Sequence, residues 1–189
     1  AKGFITVEDG SITIVASGDA IAAQTNVLIS GGEFALTSGG GSGATLAADV
    51  SAKAIKGDVS VTIDGGTFTI DAADDAIHSN ADVTINGGAF TIASGDDAIH
   101  GDATLTINDG DIDITQSYEG VESNVITVND GNIRVTASDD GTACLWDFPT
   151  GRQLFSLPHP GQVSHAAFSA DGRLIVTAAR PLIWLFIVG

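Results

Sequence analysis

Along most of the chain, short runs in which every second residue is apolar are separated by glycine-rich breaks. Three of them read Val-Thr-Ile-Asp-Gly-Gly-Thr-Phe-Thr-Ile (61–70), Val-Thr-Ile-Asn-Gly-Gly-Ala-Phe-Thr-Ile (83–92) and Leu-Thr-Ile-Asn-Asp-Gly-Asp-Ile-Asp-Ile (105–114). A period of two predicts strands with one buried face, and Gly-Gly, Asn-Gly and Asp-Gly predict the bends between them. No 3.6-residue period competes, so helical repeats are excluded. The runs are also in step: Gly66 to Gly88 and Gly88 to Gly110 are each 22 residues, Gly110 to Gly131 is 21, and Gly10 to Gly32 is 22. Gly32 to Gly66 is 34, which marks one copy lengthened by twelve residues around Ser38 to Ala52. A fixed period of this size means a solenoid, propeller or array.

Aligned by the period, like falls on like. One column is Val7, Ile29, Ile63, Ile85, Ile107, Val128; a second is Ile12, Phe34, Phe68, Phe90, Ile112, Ile133. A third is Ile14, Leu36, Ile70, Ile92, Ile114, Val135, and a fourth is Ile21, Ile55, Ile77, Ile99, Val121. Four inward columns over about six 22-residue coils predict an all-β chain folded as a right-handed parallel β-helix, each coil hydrogen-bonded to its neighbours at about 4.8 Å.

Charge sharpens this picture. The formal net charge is −17, and residues 1–141 hold 22 Asp and Glu against 4 Lys and Arg, while 142–189 hold 2 against 3. Between Lys56 and Arg134 stand fifteen acids and no Lys or Arg. Such a surface repels nucleic acid and anionic lipid and attracts cations. All four prolines, both tryptophans and the single cysteine lie after residue 141, so we place a domain boundary there, with 1–141 as the β-helix and 142–189 as a separate β segment. One cysteine excludes an internal disulfide framework. No signal peptide is visible at Ala1, which fits a mature or trimmed form, and the apolar run Leu182 to Val188 is far shorter than the ~20 residues of a membrane span.

The acids are themselves periodic. Nine residues after the repeat glycines come Asp19, Asp75, Asp97, Glu119 and Asp140, with Lys53 in that place in the lengthened copy. Beside them run Asp74, Asp96 and Asp139, and three residues further on stand His78, His100 and Glu122. Two carboxylates ~4.8 Å apart repel by roughly 3 to 4 kcal/mol at an effective dielectric near 20. With no Lys or Arg in the central stretch, a calcium ion shared between successive coils is the simplest remedy, since calcium takes six to eight oxygens. Neutral His78 and His100 are poor calcium ligands and read as outward partners or hydrogen-bonders to a ligand. Asp-Asp and Asp-Gly also shape ordinary solvated turns, and calcium could equally be structural.

Ser-Gly-Asp-Asp-Ala-Ile-His (94–100), Ala-Asp-Asp-Ala-Ile-His (73–78) and Ser-Tyr-Glu-Gly-Val-Glu (117–122) resemble bacterial carbohydrate-binding β-helix proteins, a secreted or cell-surface family with a pectate-lyase-like fold. Across roughly residues 3–141 the resemblance implies calcium and polysaccharide binding, with calcium or ligand roles for Asp74, Asp75, Asp96, Asp97, Glu119 and Glu122. The phenylalanines all fall on inward columns, leaving Tyr118 as the one exposed ring, so an acidic polysaccharide suits the surface better than flat cellulose. Thr62, Thr84, Thr106 and Thr127 form an outward hydroxyl column, read as structural. Lyases of this fold need an Arg or Lys base, and hydrolases need two carboxylates in different environments. The repeated acids show no such asymmetry, so the expectation is no enzyme.

Val-Thr-Ala-Ser-Asp-Asp-Gly-Thr-Ala-Cys-Leu-Trp-Asp (135–147), Thr-Gly-Arg-Gln-Leu (150–154) and Phe-Ser-Ala-Asp-Gly-Arg-Leu-Ile-Val-Thr-Ala (168–178) resemble a WD-repeat propeller blade, with Val135 and Val176 41 residues apart. About one blade cannot close a ring, so the segment is expected to cap the solenoid or pack on another subunit. The functional expectation is non-catalytic, calcium-dependent binding of polysaccharide outside the cytoplasm or at the cell surface. The alternative is a structural solenoid that associates end to end into a fibre or surface layer.

Overall fold

A computed structural model describes residues 1–47 and 49–135 in full and, beyond them, the backbone of five strands, Thr142–Asp147, Arg152–Pro158, Val163–Phe168, Leu174–Ala179 and Leu182–Ile187. The described residues contain no helix, and residues up to 135 wind into a parallel β-solenoid of about six coils.

Each coil contributes to three faces. The first is built from Ile21–Ala23, Ile55–Gly57 and Ile77–Ser79, and the second from Ile5–Val7, Asn26–Ile29, Ser60–Ile63 and Asp82–Ile85. Two later strands, Ile99–Ile107 and Val121–Val128, run continuously through the corner and belong to both faces. Ser11–Ala16, Glu33–Ser38, Thr67–Ala72, Ala89–Ser94, Asp111–Gln116 and Asn132–Val135 form the third face as a six-stranded sheet. All pairings between coils are parallel and, apart from irregularities after Ile92 and after Gly101, in register, so residues sit beside their equivalents from the next copy.

The four sequence columns are therefore physical ladders. Val7, Ile29, Ile63, Ile85, Ile107 and Val128 are successive partners, as are Ile21, Ile55, Ile77, Ile99 and Val121. The middle members are fully buried: Ile63, Ile85, Ile99 and Ile107 are each 0 % exposed. On the third face Phe34, Phe68 and Phe90 stack with ring centroids 4.6 and 4.7 Å apart and planes within 6°. Their spacing is the strand repeat itself, so identical rings stack without departing from the backbone register.

Two features of the corner between the second and third faces keep that register. Gly32, Gly66 and Gly88 take φ near +113°, and a Cβ on Gly88 would come 3.0 Å from the carbonyl oxygen of Gly66. Only glycine combines that backbone with so close an approach. Just before it, Asp64, Asn86, Asn108 and Asn129 form a side-chain ladder in which each amide donates to the oxygen one coil earlier, at 2.7, 2.7 and 2.6 Å.

One expectation fails here. Phe4 does not face inward; it precedes the first strand and is 71 % exposed, so Tyr118, at 50 %, is not the sole exposed ring. Phe4 lies outside the alternating run, so the pattern does not assign it a face. The strands beyond residue 141 pair antiparallel, Thr142–Asp147 with Arg152–Pro158 and Val163–Phe168 with Leu174–Ala179 and then Leu182–Ile187.

Truncating the central ring of the stack, Phe68→Ala, should lower unfolding free energy by about 3 to 5 kcal/mol in urea melts. Gly88→Ala should also destabilise, by roughly 1 to 3 kcal/mol, despite adding one methyl at a helix-free, half-exposed turn. A Gly88→Ala protein as stable as the wild type would contradict the close-approach account.

Candidate functional site: a column of acids and histidines

The corner after the third face is narrow because Ala54, Ala76 and Ala98, all 0 % exposed, point inward where larger side chains would not fit. Backbone hydrogen bonds tie this corner from coil to coil: Ala54 N to Asp75 O, Ala76 N to Asp97 O and Ala98 N to Glu119 O, at 3.2, 3.0 and 3.0 Å. These bonds place Lys53, Asp75, Asp97 and Glu119 one above another. Three residues on, Lys56, His78, His100 and Glu122 are direct ladder partners.

The acids partly replace a backbone ladder. Asp19 Oδ1 accepts from Lys53 N at 2.9 Å and Asp75 Oδ1 accepts from Asp97 N at 3.1 Å. Asp74 Oδ2 accepts from Ala52 N at 3.1 Å. Each of these carboxylates satisfies a backbone donor at a bend, where the regular sheet does not reach it.

On the Asp74–Asp75 coil, the counter-charge comes from the chain. Lys53 Nζ donates to Asp74 Oδ1 at 2.8 Å and to Asp75 Oδ2 at 2.7 Å, with only 13 % of its side chain exposed. Burial works against the charge on Lys53, but the hydrogen bonds and charges of Asp74 and Asp75 outweigh it and hold its pKa above the ordinary value. His78 Nδ1 lies 2.7 Å from Asp75 Oδ2, and its Nε2 lies 2.9 Å from Asn80 Oδ1. Burial alone would raise Asp75, yet the hydrogen bonds from His78 and Lys53 and the lysine charge pull it down to about 2.

One coil later the same motif meets the opposite environment. The position of Lys53 is now filled by Asp75, an acid. Asp97 is 4 % exposed. Burial, a hydrogen bond with Glu122 and the charges of Asp75, Asp96 and Glu122 push its carboxyl well above the usual range. Asp96 is raised in the same direction, by burial and then by Asp75 and Asp74. His100 Nδ1 stands 3.1 Å from Asp97 Oδ2, 3.3 Å from Glu122 Oε2 and 3.8 Å from Asp75 Oδ2, while its Nε2 is 3.2 Å from Asp102 Oδ1. The His78 and His100 rings meet edge to face at 4.9 Å.

Three groups of side chains bring potential metal-ligating atoms within 4.8 Å of one another: Asp74, Asp75 and Asp96; Asp75, His78 and His100; and Asp97, His100 and Glu122. The structure thus unites Asp74, Asp75, Asp96, Asp97, His78, His100 and Glu122. Among the described residues, Glu119 and Tyr118 join none of these groups, and Asp139 and Asp140 lie outside the described residues.

Four expectations change. His78 is not outward: it is 8 % exposed, with both ring nitrogens engaged by Asp75 and Asn80, so it does not offer itself to a ligand. Asp75 and Asp97 are buried rather than arrayed in solvent. The premise that no chain cation neutralises the acids fails on the Asp74–Asp75 coil, because the lysine stem spans one coil spacing and delivers its ammonium to the next. The repeated acids are also electrostatically unequal, since that single lysine serves one coil and not the other. Sequence reasoning missed Asn80 and Asp102 as histidine partners, although their spacing of 22 is visible in the chain.

The lengthened copy shapes one side of this corner. Its loop crosses successive coils: Ser42 N donates to Asp71 Oδ1 at 2.6 Å, and Ser42 O accepts from Gln116 Nε2 at 3.3 Å. Farther along, Ser51 Oγ donates to Asp19 Oδ1 at 2.7 Å, which sets the main chain that carries Lys53.

Residues 1–98, more than half of the chain, match the family described as carbohydrate-binding domain-containing protein. The chain belongs to that family. The matched part of this carbohydrate-binding protein contains the first four coils of the ladders, the lengthened copy, Lys53 and the Asp74–Asp75 and Asp96–Asp97 motifs, while His100 and Glu122 lie beyond it. Residues 114–147 and 151–180 match the WD domain, G-beta repeat family. The first of these segments overlaps parallel solenoid strands as far as Val135, so the propeller-like antiparallel pairing begins only with Thr142–Asp147. No curated protein and no solved structure matches the chain.

Asp75 and Asp97 should respond in opposite ways to one substitution. Because the folded pKa of Asp75 is lowered, its ionised form stabilises the fold above the ordinary value of 3.8, and this is lost as pH falls toward about 2. The folded pKa of Asp97 is raised, so its contribution is complete below 3.8 and is lost as pH rises beyond it. In metal-free protein at neutral pH, Asp75→Asn should therefore lose roughly 2 kcal/mol, whereas Asp97→Asn should raise the melting temperature or leave it unchanged. Equal losses in thermal melts would contradict the inequality of the two coils.

Proposed function

We propose that the solenoid binds an acidic polysaccharide without cleaving it, outside the cytoplasm, through the corner that carries the acid and histidine column. The carbohydrate-binding family match over residues 1–98 is the observation that carries this reading. The chemistry of the corner supports the acidic class of sugar. Asp96 and Asp102 are exposed, Glu122 is half-exposed, and Tyr118, whose backbone N donates to Asp96 O at 2.9 Å, has half its surface in water. Such carboxylates repel a uronate directly but hold it through a shared divalent ion, and calcium suits ligands that are all oxygen.

Catalysis is not favoured by the residues themselves. Lys53, the cation nearest the acids, is held protonated between two carboxylates and is a poor base for removing a proton next to a uronate. Asp75 and Asp97 do differ in protonation, as a hydrolase pair must, but both are buried and engaged, which keeps them from a glycosidic bond in solution.

Calorimetric titration of the metal-free chain with polygalacturonate, repeated after adding calcium, tests the proposal. Binding that requires calcium and vanishes again with chelator is expected, with no release of unsaturated or reducing sugar. No heat under either condition would overturn the reading.

A further inference from the structure

We propose that Asp97, His100 and Glu122 bind one divalent cation of the zinc class, and that one coil earlier the Lys53 ammonium, seated on Asp74 and Asp75, supplies the positive charge instead, so the column takes one such ion and not a row. This inference goes beyond glycan binding and does not depend on it.

The donors come first. His100 Nδ1 lies 3.1 Å from Asp97 Oδ2 and 3.3 Å from Glu122 Oε2. Ligands at about 2.0 to 2.2 Å from a tetrahedral zinc stand roughly 3.3 Å apart, so these atoms need to move little. One imidazole nitrogen and two carboxylates form a donor set for zinc and its neighbours in the transition series, whereas calcium asks for six to eight oxygens.

A second observation comes from the outer nitrogen of the same ring. His100 Nε2 lies 3.2 Å from Asp102 Oδ1. A hydrogen on Nε2 donated to that carboxylate leaves Nδ1 as the lone-pair nitrogen, turned toward Asp97 and Glu122. The carboxylate–histidine–metal arrangement is the usual way a protein fixes the ligating tautomer. His78, one coil earlier, has Asn80 in place of that carboxylate.

The internal repeat supplies the third. On the Asp74–Asp75 coil a cation already sits among the acids, the Lys53 ammonium, at 2.8 and 2.7 Å. On the next coil the residue in Lys53's place is Asp75, and no lysine or arginine occurs between Lys56 and Arg134 to substitute for it. The same architecture thus holds a tethered cation in one copy and lacks it in the next. Glu122, with 46 % of its side chain exposed, opens this group to solvent.

The test uses the full, metal-free chain with no glycan present. Zinc, and cobalt as its coloured substitute, are titrated while the imidazole nitrogens of all four histidines are followed by NMR. One equivalent should bind, His100 Nδ1 should shift, and a hundredfold excess of calcium should not displace the ion. His100→Gln, checked for an unchanged β-sheet spectrum, should weaken binding at least about tenfold, and Lys53→Ala should admit a second ion at the all-carboxylate group Asp74, Asp75 and Asp96, one that excess calcium does displace. A shift confined to His159 or His165, displacement by calcium, or full binding by His100→Gln would overturn the site. A stoichiometry of one in Lys53→Ala would overturn the role given to Lys53. None of these outcomes bears on whether polygalacturonate binds, so the two readings fail separately.

Discussion

In-register parallel pairing governs this molecule. Once each coil hydrogen-bonds to its equivalent in the next, every side chain acquires its own counterpart as a neighbour at about 4.8 Å. For apolar residues the constraint is favourable, and it yields the isoleucine ladders and the Phe34, Phe68 and Phe90 stack. Amides also gain, because each asparagine can donate to the one before it. Acids alone are penalised, so wherever the sequence repeats an acid something must compensate.

The compensation differs from coil to coil, and that difference is the chemistry of the site. Some acids accept backbone amides from the next coil and act as staples at the bend. Asp74 and Asp75 receive a lysine ammonium, whereas Asp97 is left with carboxyl neighbours and one histidine. A repeat protein thereby obtains a unique position from nearly identical copies through one substitution in the lengthened copy.

The ladders were legible because register follows directly from the period: residues 22 apart became partners at Ile63, Ile85 and Ile107 as alignment of the repeats requires. Which acids and histidines stack was legible for the same reason, but not that Glu119 joins none of the three groups or that Asn80 and Asp102 meet the histidine rings. Burial there was not legible either, since alternation assigns no face to Asp75 outside the strands, and His78, in the strand Ile77–Ser79, is covered although its alternating position reads as outward. Nor was the reach of Lys53, which in an alignment is a missing acid but in space is a cation delivered to the neighbouring coil. Phe4 shows the converse limit, a large ring outside the alternating runs whose exposure the pattern does not reveal.

The most direct measurement is an anomalous difference map from crystals of the full chain grown with both zinc and calcium, collected on either side of the zinc edge. The account predicts one zinc peak within bonding distance of His100 Nδ1, Asp97 and Glu122, with the Lys53 ammonium still seated between Asp74 and Asp75. A zinc peak between Asp74 and Asp75 with Lys53 turned away, or no peak at His100, would contradict it.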